Sequence, residues 1–155
     1  MKFILSFAIA VTICLSAQNA MACTCLEPTF SDRRQNADVI FSGTVDEVVR
    51  IPKYHKSNMA DTPIEVTFTV QDVFKGEDRK AITLHTSFKK YNCAGFAFEV
   101  GQPYLVFAYL RRQETFEHWS LYNYPSGTYG VGGGCGGTKP LNSAKAQGEI
   151  SILKD

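Results

Sequence analysis

The residues with the most pointed chemistry are Cys23-Thr24-Cys25, which follow directly on Ala20-Met21-Ala22, a small-residue signal of the kind at which a leader peptide is cut. Cleavage there makes Cys23 the first residue of the mature chain. Its free α-amine and its own carbonyl oxygen then form a pair able to grip a metal ion, and a disulfide from its side chain would hold both still. Cys93 and Cys135 supply sulfur partners downstream, while Cys14 departs with the leader. In an oxidising compartment these four cysteines read as two disulfides. A bridge from Cys23 to Cys25 has poor geometry, because residues two apart in extended chain stand about 7 Å apart on one face. Either of the two remaining pairings ties the N-terminal segment to two distant places, and the chain-entropy account gives each such bridge roughly 4 to 5 kcal/mol.

The elements that must position this segment begin beyond the leader. Residues 1–22 form the expected signal peptide: Lys2 is its only charge, and Phe3 to Ala17 is an almost unbroken apolar run, short for a membrane span. A secreted or periplasmic protein with no stable membrane span is expected. A retained anchor is disfavoured because no basic stop-transfer flank follows. A lipid-anchored form is the minor alternative: Ala22 permits acylation of Cys23, but Ala20 stands where lipoprotein signals carry a large aliphatic residue, and the modification would leave three thiols. Residues 23–155 then make one domain. It is formally neutral, with 15 basic and 15 acidic residues, and Arg33-Arg34, Lys89-Lys90 and Arg111-Arg112 are short pairs diluted by acids. A nucleic-acid partner is therefore not expected.

Strand signals dominate this domain. Val39 to Val49 reads as a long curved strand with a bulge or bend at Gly43, and Ile64 to Phe74 as a second, with Ile64, Val66, Phe68 and Val70 on one face. Lys53 to Pro63 reads as a loop and Lys75-Gly76-Glu77-Asp78 as a turn. Ala81 to Thr86, Tyr104 to Arg111 and Thr115 to Tyr122 complete five strands, and Trp119 reads as barrel packing. Short helices are expected at about Ser31 to Asn36, capped by Ser31 and Asp32, and between Asn142 and Ile152. Gly127 to Gly137 holds seven glycines in eleven residues and reads as a close-packing loop that places Cys135. It lacks the Gly-Lys-Ser/Thr ending of a phosphate loop. The whole fits a mainly β fold, a five-stranded OB-type Greek-key barrel with short accessory helices, although a β-sandwich gives similar strand signals.

The mature N-terminal Cys-Thr-Cys followed by Ala37-Asp38-Val39-Ile40-Phe41-Ser42-Gly43-Thr44-Val45 resembles the tissue inhibitors of metalloproteinases and the wider netrin-like domain family. Val106-Phe107-Ala108 and Cys135-Gly136-Gly137-Thr138 add local similarity across nearly the whole mature chain. The resemblance implies the OB-type barrel and pairs Cys23 with Cys93 and Cys25 with Cys135. It also implies a mechanism, in which the amine and carbonyl of Cys23 chelate, in trans, the catalytic zinc of a metalloproteinase. Thr24 would enter the pocket for the residue after the scissile bond, Cys25 would fix the segment, and Tyr91, Asn92 and Ala94 would extend the contact surface. The chain departs from the animal inhibitors in having no third disulfide of their N-domain and no cysteine-rich C-terminal domain. Its Pro28 also falls one residue late, and the form looks bacterial.

A monomeric inhibitor of zinc metalloproteinases, without a cofactor of its own, is the expectation. The alternative is a non-inhibitory netrin-like interaction module. An enzyme is not expected: His55, His85 and His118 are isolated, and no His-Glu-x-x-His, Gly-x-Ser-x-Gly or Cys-x-x-Cys motif occurs.

Overall fold

A computed structural model of the protein describes residues 28–52, 62–87, 95–111, 124–133 and 135–155. These form, in chain order, helix α1 (Phe30–Asn36), strands β1 (Val39–Arg50), β2 (Pro63–Lys75), β3 (Ala81–Ser87), β4 (Pro103–Leu110), β5 (Tyr129–Gly130) and β6 (Lys139–Pro140), and helix α2 (Ala144–Lys154). The sheet closes on itself in the order β1-β2-β3-β5-β4-β1, with β6 added beside β4. The β3–β5 pairing is parallel and the others are antiparallel. A closed barrel of five strands carrying two short helices results, and no helix among the described residues is long and apolar enough to cross a membrane.

Closure depends on β1 serving two neighbours. Its first half pairs with β4 from Val39↔Ala108 to Thr44↔Pro103, while the strand as a whole follows β2 from Ile40↔Lys75 to Arg50↔Ile64. Register shifts at Ile40/Phe41, Ser42/Gly43 and Val45/Glu47 bend it through this double role. Gly43 is needed at the bend, since a Cβ there would stand 2.8 Å from the Thr69 carbonyl oxygen.

Alternation along the strands sorts two apolar layers. Val39 and Phe41 of β1, Ile64, Val66 and Phe68 of β2, and Tyr104, Val106 and Ala108 of β4 fill the barrel interior. Ile40, Leu105 and Phe107 point the other way, under Ala37 at the end of α1 and Ala146 and Leu153 of α2. This explains why Tyr104 to Leu110 reads as a continuous apolar run: β4 is covered on both faces. Phe96 and Phe98, from the segment ahead of β4, plug the interior. The Phe98 ring meets Phe68 edge-on at 5.2 Å and Tyr104 at 5.0 Å.

Two expectations change. Helix α1 is capped by Thr29, not by Ser31 or Asp32: the Thr29 hydroxyl accepts from the Asp32 amide at 3.2 Å, and the Asp32 carboxylate accepts from the Thr29 amide at 3.1 Å. The glycine-rich stretch is also more than a packing loop, because its Tyr129–Gly130 is the strand that closes the ring between β3 and β4. The predicted strand Thr115 to Tyr122, with His118 and Trp119, and most of the loop from Lys53, with His55, lie outside the described residues.

Candidate functional site

The predicted chelating segment Cys23-Thr24-Cys25 and the flanking Tyr91, Asn92, Cys93 and Ala94 lie outside the described residues, while Cys135 lies within them and is disulfide-bonded. The structure describes the frame to which those segments attach. Three attachment points matter: Pro28 on the N-terminal side, the Ser87/Gly95 junction, and the turn holding Cys135.

Pro28 is held by Arg33. The Arg33 Nη1 donates to the Pro28 carbonyl at 2.6 Å, and Nη2 pairs with Glu149 Oε1 of α2, also at 2.6 Å. The second oxygen of Glu149 receives Lys139 Nζ at 2.5 Å. Arg33 and Glu149 side chains are only 3% and 7% exposed, so their charges depend on each other and on local hydrogen bonds rather than on water. The Phe107 ring supports both cations, with Arg33 Cζ 5.8 Å and Lys139 Nζ 5.6 Å from its centroid. Burial pushes the Lys139 ammonium below its ordinary pKa, against the pull of the Glu149 carboxylate beside it. The Thr29 hydroxyl and amide on the Asp32 carboxylate hold that group below the usual carboxylate range.

The same guanidinium side chain touches the turn that carries Cys135. Gly137 has φ +90°, and a Cβ on it would overlap Arg33 Cδ, so only glycine fits both the backbone and the contact. Gly136 is fixed from the barrel by Tyr109, whose hydroxyl donates to the Gly136 carbonyl at 3.3 Å. Burial raises the pKa of that phenol, with the Arg33 charge opposing.

At the Ser87/Gly95 junction the chain leaves the end of β3 and rejoins the described structure at one place. A Cβ on Gly95 would overlap both oxygens of Ser87. Beside this junction His85 Nε2 meets Glu65 Oε2 across the β2–β3 ladder at 3.0 Å, and Arg111 Nη2 donates to the His85 carbonyl at 2.9 Å. The Arg111 guanidinium stacks over Tyr124 at 4.3 Å, and Tyr124 donates its hydroxyl to the Thr86 carbonyl. Burial lowers the Arg111 pKa. His85, read as isolated in the sequence, is thus one member of a knot that ties β2, β3, Arg111 and Tyr124 together.

Arg33, Glu149 and Lys139 were not visible as site residues in the sequence, yet a signal existed. Phe30, Arg33 and Ala37 share one face of α1 and its end, and Ala146, Glu149, Ile150 and Leu153 share one face of α2. A charge of opposite sign thus sits in each apolar stripe, the pattern of a buried pair. Among the described residues no group of three or more His, Cys, Asp or Glu side chains is arranged to hold a metal ion. Comparison with protein-family models returned no match, and comparison with curated proteins returned none. The class defined by the described residues is a closed five-stranded β-barrel with two helices on one side.

Proposed function

We propose that this barrel is of the OB type, with the netrin-like character its N-terminal motif resembles, and that it inhibits zinc metalloproteinases through Cys23. Catalytic zinc keeps one position open for the attacking water, and an amine and carbonyl arriving together there remove that nucleophile. The α-amine, with an ordinary pKa of about 7.7 to 8.0, sheds its proton at small cost near neutral pH. Thr24 would fill the adjoining pocket, and Tyr91, Asn92 and Ala94 would widen the contact.

The observation that carries the proposal is the spacing of the attachment points. His85 of β3 and Tyr109 of β4 both stand level with Gly130 of β5, so these two strands are about 10 Å apart across the sheet, with Ser87 at the end of β3 and Gly136 held to β4 through the Tyr109 hydroxyl. Cys93 lies two residues before Gly95 and Cys135 lies next to Gly136. An extended Cys23-Thr24-Cys25 presents its two sulfurs on one face about 7 Å apart. Pairing Cys23 with Cys93 and Cys25 with Cys135 therefore suits the frame. Pro28, held beside Gly137 by Arg33, starts the segment from the Cys135 side.

The test is an oxidised protein beginning at Cys23 compared with one carrying an added alanine ahead of it, both assayed against a panel of zinc metalloproteinases. The extra residue blocks the chelating amine and leaves both disulfides possible. Inhibition should fall roughly a hundredfold or more, equivalent to about 3 kcal/mol. Equal inhibition by the two would eliminate chelation. No inhibition by the unextended protein would assign the barrel to the interaction-module alternative.

A further inference from the structure

We infer that Glu149, on the C-terminal helix, is a positioning residue for the N-terminal segment, and that it acts through the Arg33 guanidinium. A guanidinium is a rigid planar fork, so fixing the direction of one arm fixes the other. Here Nη2 is seated on Glu149 and Nη1 on the Pro28 carbonyl, each at 2.6 Å. The carboxylate cannot swing away freely because Lys139 of β6 holds its other oxygen. Gly137 walls the Arg33 side chain at Cδ, and Phe107 supports its guanidinium. Helix α2 thereby fixes the Pro28 carbonyl through Arg33, although Glu149 and Arg33 are 116 residues apart in sequence. Cys25 is three residues from Pro28, a reach of at most about 10 Å, so under the proposed function the orientation of Pro28 bears on Cys25. The orientation of Pro28 stands independently of function, whereas its consequence for inhibition rests on the zinc-chelating proposal above.

Two variants separate aiming from general stability. Arg33→Lys keeps a cation beside Glu149 but replaces the fork with a single ammonium, which cannot hold both arms in place. The triple variant Arg33→Met, Lys139→Met, Glu149→Leu removes the three charges described in this network together and keeps similar volumes, a replacement that buried ion networks often tolerate. Hydrogen exchange of the full, oxidised chain is read at the hydrogen-bonded amides of Thr29 and Asp32 and at Phe41, Val66 and Val106 in the barrel. In both variants the first set should exchange about tenfold faster, as loss of a hydrogen bond to a charged group implies, while the barrel set is unchanged. Unaltered exchange at Thr29 and Asp32, or an equal rise throughout the barrel, would overturn the inference. If the unaltered protein inhibits a zinc metalloproteinase, both variants should inhibit about tenfold less, by the same lost bond. Full inhibition despite faster local exchange would break the link between aim and function. No inhibition by the unaltered protein would overturn the proposed function alone, with the exchange result still deciding the role of Glu149.

Discussion

The barrel interior and the layer beneath the helices are opposite faces of the same strands, and they achieve burial in different ways. Inside, Phe41, Phe68, Phe98 and Tyr104 meet edge to face, and the Tyr104 hydroxyl reaches the Glu99 amide at 3.2 Å. Under the helices, a carboxylate and two cations are enclosed beside Phe107, among aliphatic side chains and the rings of Phe30, Phe74 and Tyr109. Apolar packing is non-directional and accepts any partner of suitable shape, whereas buried charges require particular atoms at particular distances. The interior therefore closes the barrel, and the helix layer joins Pro28 to α2.

Denaturant unfolding of single variants should show the contrast most strongly. Phe68→Ala opens a cavity in the interior and should cost about 3 to 5 kcal/mol. Glu149→Leu should cost a similar amount, about 3 to 5 kcal/mol, because Arg33 and Lys139 lose their buried carboxylate. The regions then part company. Adding Arg33→Met and Lys139→Met to Glu149→Leu should recover most of the loss, while no second deletion inside the barrel should rescue Phe68→Ala. A triple variant as unstable as the single one would erase the distinction.

Next in size is Gly137→Ala, which forces a non-glycine residue to φ +90° and drives its Cβ into Arg33. About 1 to 3 kcal/mol of destabilisation is expected from the backbone strain, with the midpoint shifted at constant slope. Thr29→Ala removes the helix cap without touching either core and should cost roughly 1 kcal/mol by the same measurement.

The smallest effect is a pH dependence. Burial raises the pKa of Tyr104, inside the barrel, and of Tyr109, under the helices, above the ordinary 10.0. Above that pH the unfolded chain loses these protons first, so the folded state binds more of them. The stability the two phenols contribute is full below pH 10 and is lost as pH rises through their folded values. Lys139 works in the opposite sense, because its folded pKa lies below the ordinary 10.5 and the unfolded chain holds that proton longer. Alkaline titration of unfolding should accordingly show a steeper loss in Lys139→Met than in the unaltered protein. An unchanged slope would remove Lys139 from the balance.

Much of this architecture was legible in the residues themselves. The bounds expected for β1 to β4 agree with the structure to within about two residues, since β-branched runs, alternation and turn residues act locally. Gly43 was legible as a bend because a glycine inside such a run packs no side chain and weakens the strand unless the backbone must turn or approach a neighbour closely there. Helix α2, expected between Asn142 and Ile152, spans Ala144–Lys154 and is capped by Ser143. The closing strand was not, for Tyr129–Gly130 is too short to carry any period and is a strand only because β3 and β4 lie on either side of it. The cap at Thr29 was missed because three neighbouring residues, Thr29, Ser31 and Asp32, can all accept an amide hydrogen bond. Only the direction of the arriving chain selects among them.

By itself the sequence determined where the four long strands β1 to β4 run, which faces of them avoid water, and that the four cysteines beyond a leader-like start invite pairing. Those properties depend on neighbours a few residues apart. Tertiary structure alone decided that β1 would bend to meet both β2 and β4, that a two-residue strand would close the ring, and that Arg33 would join Pro28 to Glu149 across 116 residues. A charge in an apolar stripe announces that it must be paired, but its partner is chosen by which surfaces the closed barrel brings together.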